Sequence, residues 1–323
     1  MDNVMTQTKQ ALIAFGPVPS RRLGRSLGIN NIPPKSCSYS CLYCQVGATQ
    51  RREIEPRIFF PPEAIVKAVT QQVDKARQAG ETIDYLTFVP DGEPTLDLNL
   101  GKSIDLLRPL GIRIAVISNA SLIWQDTVRR VLNKADYVSL KVDTIEAHTW
   151  QRLNQPHPAL ELPVILQGIE NFAGPYQGKL VTETMLVAGV NDQPHMLAEL
   201  SEFLARIKPA IAYLAIPTRP PAQKEVKAPA EHRIVQAFEI LNANLDEVQY
   251  LISSEGDEFV SVGEPRDDLL AITAVHPMRE DAVQHFLAKA RHDWSLVEEL
   301  IRKGEIVEVC FEGQRFYIRR PAS

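Results

Sequence analysis

The sequence predicts an α/β protein: a partial (β/α)6 barrel followed by a small C-terminal winged-helix-like α+β domain. Three observations predict it. Short segments rich in Val, Ile, Leu and Tyr alternate with helical patterns from about residue 26 to residue 252, and strands separated by helices form right-handed βαβ units around a parallel sheet. The pattern changes near residue 264, where helix, turn, helix and two strands follow in winged-helix order. The 323 residues, 45% hydrophobic and 23% charged, match an ordinary globular chain longer than one usual domain.

The strands are expected at Ser26–Asn30, Tyr85–Val89, Arg113–Ser118, Tyr137–Val142, Lys179–Leu186 and Ala210–Ile216, with a weaker seventh at Val248–Ile252. Helical periodicity lies between them at Pro62–Arg77, Leu98–Leu110, Trp124–Asn133, Ile165–Asn171, His195–Ile207 and Ala230–Leu241; the first is opened by Pro61-Pro62-Glu63. Glu264-Pro265-Arg266-Asp267-Asp268 reads as a polar linker, so the domains are expected at 1–264 and 265–323. Beyond it come an apolar segment ending at Val275, a helix Pro277–Ala290, a turn at His292-Asp293 and a helix Trp294–Lys303 closed by Gly304. Strands Glu305–Phe311 and Gln314–Ile318 then join at Glu312-Gly313. In barrels and open α/β sheets alike, ligands sit at the carboxyl ends of the strands, so the segments after each strand are where site residues belong.

Composition excludes several classes. The longest apolar run, Leu269–Val275, is far short of the roughly 18 residues of a membrane span. Met1-Asp2-Asn3 leads into polar residues without an apolar region, so neither a secretory signal nor a membrane is expected and the location is read as cytoplasmic. A net charge of −5 argues against whole-surface nucleic-acid binding. The charge is unevenly spread: between Asn3 and Arg52 there is no acidic residue, against Lys9, Arg21, Arg22, Arg25, Lys35, Arg51 and Arg52. Usually such a run is a solvated face. Here it surrounds clustered cysteines, and a positive field about an anionic centre is the rival explanation.

Cys37-Ser38-Tyr39-Ser40-Cys41-Leu42-Tyr43-Cys44 places three of the four cysteines in a CxxxCxxC loop just after the first expected strand. Too few for a disulfide framework, they point to metal ligation, and soft thiolates select zinc, copper(I) or iron–sulfur clusters. Structural zinc wants four protein ligands, whereas this loop offers three and no neighbouring His. Cys310, the remaining thiol, lies in a strand where a lone Cys is usually packing filler. Three cysteines on a four-iron cluster leave one iron open to a small molecule. On the fourth strand, Ser139, Lys141 and Asp143 share one face by the two-residue period, and three polar groups on one side of a buried strand need partners such as a ligand.

The loop, with its aromatic Tyr43 before the third Cys, resembles the radical SAM superfamily, and segments from about residue 10 to residue 260 are similar to it. The resemblance implies a [4Fe-4S] cluster on Cys37, Cys41 and Cys44, with S-adenosylmethionine chelated to the open iron. Reductive cleavage would form a 5′-deoxyadenosyl radical that abstracts hydrogen from an unidentified substrate. It further implies cofactor contacts at Tyr43, at Gly92-Glu93-Pro94, at Ser118-Asn119 after the third strand, at Ser139, Lys141 and Asp143, and at Ile216 where the sixth strand ends. Asp91 stands where the first Gly of the Gly-Gly-Glu-Pro motif is common. Arg152–Pro156, Glu183–Leu186 and Gly189–Asp192 also resemble family segments. Gly16–Gly28 with Asp91–Pro94 most resembles a group classed loosely with the wybutosine-synthesis enzymes, although no second cysteine cluster and no flavodoxin-like domain accompany them.

Three readings compete for the function. A radical SAM enzyme uses every motif; a flavodoxin- or ferredoxin-like electron donor and an anionic substrate or a peptide docking on the C-terminal module are its expected partners. An iron–sulfur or zinc-dependent regulator with a winged-helix binding domain is the alternative. From residue 266 onward, however, there are nine basic and ten acidic residues, and the would-be recognition helix exposes Glu298 and Glu299, which argues against duplex DNA. A non-catalytic iron–sulfur carrier would leave Gly92-Glu93 and the Ser139, Lys141, Asp143 face unused.

Overall fold

The computed structural model describes residues 13–252, 259 and 261–320. Lys9 and the Met1–Asn3 start lie outside them. In chain order the elements are β1 Ala14–Ser20, β2 Gly24–Ile29, α1 Pro62–Gln78, β3 Tyr85–Phe88, α2 Leu100–Leu107, β4 Arg113–Ser118, α3 Asp126–Leu132, β5 Tyr137–Lys141, α4 Ala147–Asn154 and α5 Leu162–Ala173. Then come β6 Lys179–Met185, α6 Pro194–Ile207, β7 Ile211–Ala215, α7 Glu231–Asn242, β8 Val248–Leu251, α8 Pro265–Val275, β9 Met278–Arg279, α9 Glu280–Lys289, α10 Ser295–Arg302, β10 Ile306–Phe311 and β11 Gln314–Arg319. The α/β class is borne out. Among the described residues no helix is long and apolar enough to cross a membrane.

The described residues form two compact units that interleave along the sequence: one within residues 1–34, 58–114 and 255–323, the other within residues 35–57 and 115–254. In the first, β1 pairs antiparallel with β2, and β2 pairs parallel with β3. β1 is absent from the expected strands, because Pro17 and Pro19 remove ladder donors and mask the strand pattern; a register irregularity between Phe15 and Val18 accommodates them. The expected linker at Glu264–Asp268 is instead the start of α8. Pro265 sits in its first turn with Asp267 and Asp268, where the missing N–H costs nothing and acidic charge meets the helix dipole. The apolar run is therefore helix.

The tail shares its core with the start of the chain. Phe15 and Val18 of β1 belong to one buried apolar cluster with Leu269, Ile272, Phe286 and Leu300. Helices α9 and α10 and the antiparallel sheet ordered β10-β11-β9 supply the winged-helix-like arrangement, with β10 and β11 forming the ribbon.

In the second unit the strands follow chain order, with parallel pairing of β4 to β5, β5 to β6, β6 to β7 and β7 to β8. β7 is a continuous apolar run, buried throughout, as in a sheet covered on both faces, whereas β5 and β6 interleave polar residues such as Ser139, Lys141, Thr182 and Glu183. Leu140, Val181 and Leu214, one from each of three neighbouring strands, are fully buried. The short α4 is not among the expected helices. Glu146 starts it by accepting the backbone N–H of Thr149, and Trp150 and Leu153 bury its inner face.

Gly168 on α5 lies against the backbone of Trp124, so a Cβ there would stand 2.7 Å from both the N and Cα of that residue. Helix propensity alone favours Gly168→Ala by about 1 kcal/mol. Because main chain cannot rotate aside as a side chain can, we expect a loss of roughly 1–3 kcal/mol instead, read as a lowered urea midpoint. A raised midpoint would show that the contact relaxes freely.

Candidate active site

The cysteine loop has little regular structure of its own and takes its shape from the exit of α4. Leu42 N–H donates to Leu153 O (2.9 Å), Ser40 N–H donates to Asn154 O (3.1 Å), and His157 N–H donates to Ser38 O (2.9 Å). Tyr39 bridges to Pro156, and the Tyr39 hydroxyl accepts the indole N–H of Trp150 (3.2 Å). On its other side, Cys37 bridges to Arg52, whose guanidinium donates to the carbonyls of Gln155 and Pro156. Arg52, counted in the basic run, is thus partly a backbone clamp. Leu42 and Tyr43 pack with Leu153, Val187 and Val226, and Gln223 N–H donates to Leu42 O, so the segment after β7 covers this face of the loop with apolar surface.

Asp143, just past β5, joins the loop to the sheet. Its Oδ1 accepts the Met185 N–H (2.8 Å). Its Oδ2 accepts Asn154 Nδ2 (2.7 Å) and the Tyr43 hydroxyl. Asn191 fixes the adjoining strand ends, donating to the carbonyls of Asp143 (2.8 Å) and Met185 (2.9 Å). Beside this group Lys141 Nζ lies 2.7 Å from Glu183 Oε1, its neighbour across the β5–β6 register, and 4.8 Å from the Tyr43 ring centroid. Two side-chain amides reach sulfur: Asn154 Nδ2 is 3.5 Å from Cys41 Sγ, and Asn119 Nδ2 is 3.5 Å from Cys37 Sγ.

Burial dominates the electrostatics. It pushes the Cys41 thiol up to about 12, helped by the charge of Asp143 and by Cys44, while hydrogen bonds from Asn154 and Tyr43 act the other way. Burial, then Asp143, also raises the Tyr43 phenol well above its ordinary range. Burial works to lower the Lys141 ammonium, but Glu183 and Asp143 outweigh it and hold the group above its ordinary value. Burial thus favours the neutral Cys41 thiol, and a metal centre binding there would have to displace its proton.

Tyr43, Asn119, Lys141 and Asp143 lie around Cys37 and Cys41, and all line one small cavity except the cysteines. Ser139, on the same face of β5 as Lys141, is 1% exposed, and its Oγ has no hydrogen-bond partner among the described residues. Ser118 Oγ accepts Ala120 N–H (3.0 Å) and Asn119 Oδ1 accepts Ser121 N–H (2.9 Å), bracing a turn that holds Ala120 at φ 63°. Ile216 follows β7, half-buried. Gly92, Glu93 and Pro94 belong to the other unit, where Glu93 is fully buried and Oε1 accepts both the N–H (3.1 Å) and the hydroxyl (2.6 Å) of Thr95, capping the turn that Pro94 begins. Cys310 is exposed and unbridged, so it is not the packing filler expected of it. Asn154 and Asn191 stand in the sequence only within family-like segments; an Asn closing a helix, or in the loop after a strand, is the signal that could have singled them out.

Three unbridged, half-buried thiols on one loop form a soft donor set suited to an iron–sulfur cluster. Among the described residues no three His, Cys, Asp or Glu side chains are placed to share one metal ion, a convergence that a cluster does not need because each thiolate meets its own iron. The unpaired Ser139 hydroxyl fits a polar cofactor on the sheet face beside the loop.

Known proteins share this architecture. A radical SAM methyltransferase from Sphaerobacter thermophilus superposes with a TM-score of 0.51 at 16% identity, covering 71% of this chain and 67% of that one. A structure of TYW1 with a lysine-pyruvate adduct bound superposes at 0.53 with 18% identity, covering 68% and 74%. The fold is thus the partial barrel of the radical SAM type. The UPF0026 protein MJ1312 of Methanocaldococcus jannaschii is 43% identical over 309 residues, 95% of this chain and 96% of its own. The family model described as the radical SAM superfamily matches residues 31–201, a span running from the cysteine loop to α6. With a CxxxCxxC loop of the kind that ligates the cluster in an enzyme class using S-adenosylmethionine, this chain belongs to the radical SAM superfamily.

Proposed function

We propose that the protein holds a [4Fe-4S] cluster on Cys37, Cys41 and Cys44 and uses it to cleave S-adenosylmethionine. When bound, these groups supply one-electron chemistry: an electron from a flavodoxin- or ferredoxin-like donor splits the sulfonium into methionine and a 5′-deoxyadenosyl radical, which takes a hydrogen atom from the substrate. The cofactor carries that chemistry, and the protein's part is to position it and keep water out. What carries the reading is the cysteine loop, three unbridged thiols fixed by main-chain bonds to residues 153–157 and half-wrapped in apolar side chains.

The proposed cofactor contacts are Tyr43, Gly92, Glu93, Pro94, Ser118, Asn119, Ser139, Lys141, Asp143 and Ile216. Support among them is uneven. Glu93 and Ser118 already serve their own turns. Ser139 has the strongest support, because a buried hydroxyl without a partner is costly unless a ligand repays it. Lys141 and Glu183 form a close, partly buried pair that positions charge on the same sheet face. The segment 265–323 carries none of the proposed contacts, and we assign it to the substrate, an anionic molecule or a peptide.

Anaerobically reconstituted protein should contain about four irons and four sulfides per chain, with an electron paramagnetic resonance spectrum that changes on adding S-adenosylmethionine. Ala in place of any one of Cys37, Cys41 or Cys44 should abolish that spectrum, and Cys310→Ala should alter nothing. Zinc in place of iron, or loss of the cluster in Cys310→Ala, contradicts the assignment.

Ser139→Ala separates ligand chemistry from folding. Removing an unpaired buried hydroxyl should leave the thermal midpoint of the cofactor-free protein unchanged or higher. Without that hydroxyl to hydrogen-bond, S-adenosylmethionine should bind more weakly by about 1–3 kcal/mol in isothermal titration. Unchanged affinity with a lowered midpoint would make Ser139 part of the fold and no part of the site.

A further inference from the structure

Two asparagines are oriented so firmly that their amide N–H groups face sulfur. The Asn154 amide cannot be turned round: its Nδ2 stands 2.7 Å from Asp143 Oδ2, where the amide oxygen would meet a carboxylate. One N–H is spent there. The other is directed between the Tyr43 oxygen (3.3 Å) and Cys41 Sγ (3.5 Å). Asn119 is fixed at its other end, since Oδ1 accepts Ser121 N–H (2.9 Å), leaving Nδ2 to donate to Ser38 Oγ (3.0 Å) and to approach Cys37 Sγ (3.5 Å). Ser38 and Ser121 are themselves joined through their hydroxyls at 2.5 Å. Asn154 is 3% exposed, so bulk solvent does not compete for its amide.

We infer that Asn154 and Asn119 are positioning residues that set the reduction potential of the cluster by donating hydrogen bonds to Cys41 and Cys37. The inference rests on the cluster reading above. Reduction adds a negative charge spread over iron and sulfur, and a donor aimed at a ligand sulfur binds the more negative state more strongly, which raises the potential. Asn154 does a second thing. It stands between the Asp143 carboxylate and the Cys41 sulfur, so a neighbour that would repel added electron density is replaced at the sulfur by a donor. The Lys141 ammonium, close enough to feel the same carboxylate, partly offsets it. Each effect makes reduction easier, so losing an amide should make it harder.

The test uses full-length reconstituted protein and the variants Asn154→Leu and Asn119→Leu, which keep side-chain size and remove the donor. Iron and sulfide analysis comes first. On clusters loaded to the parent's stoichiometry, a redox titration followed by electron paramagnetic resonance should show each variant harder to reduce by on the order of tenfold in the equilibrium, about 59 mV for one electron. Potentials equal to the parent's overturn the inference while leaving the cluster reading intact. In case a variant fails to load, the parent labelled with 15N at the asparagine side chains gives a second measurement. Electron–nuclear double resonance on its reduced cluster should show a 15N coupling, and absence of coupling also overturns the proposal. If the parent binds no iron, the cluster reading itself has failed, a different result from either.

Discussion

One buried carboxylate ties the site together. Asp143, 5% exposed, receives the Tyr43 hydroxyl from the cysteine loop, the Asn154 amide from the end of α4 and the Met185 N–H from the end of β6. Three segments far apart in sequence are thereby fixed at the carboxyl end of β5, where a barrel-type fold presents its ligands. A buried carboxylate is tolerable only when its lone pairs are used, and here the groups that use them also shape the loop. Removing Asp143 would strand a phenol and an amide in a dry interior as well as loosen the loop.

From that anchoring the rest of the site follows. The loop borrows its backbone partners from residues 153–157, so the geometry of the three cysteines depends on where α4 ends, and Gln155 in the left-handed conformation at φ 43° ends it. The segment after β7 adds Val226 and the Gln223 bond to Leu42, and Arg219 donates to Gln45 (2.8 Å), just past the third cysteine. Apolar cover of this kind lowers the local dielectric and makes the few polar groups near sulfur matter more.

Much of this was legible in the sequence because it is local. The CxxxCxxC spacing, the two-residue period that puts Ser139 and Lys141 on one face, and the alternation of strands and helices all lie within short windows. β1 escaped because Pro17 and Pro19 look like loop residues unless the antiparallel partner Gly24–Ile29 is known. α8 escaped because Pro265, Asp267 and Asp268 serve equally well in a linker and in a first helical turn. The role of Asn154 was not legible at all, for it consists of meeting Cys41 and Asp143 across the fold. Likewise the union of Phe15 and Val18 with the core of the tail joins opposite ends of the chain, which no local pattern records.

Formation of a radical from S-adenosylmethionine at this site is open to direct measurement. The reconstituted protein is incubated anaerobically with a strong one-electron reductant and S-adenosylmethionine, and 5′-deoxyadenosine and methionine are then separated by chromatography. Both products should appear in equal amounts, only with reductant present, and should vanish when Cys41 is replaced by Ala. Failure to form 5′-deoxyadenosine from a fully loaded, reduced cluster that binds S-adenosylmethionine would contradict the proposed chemistry.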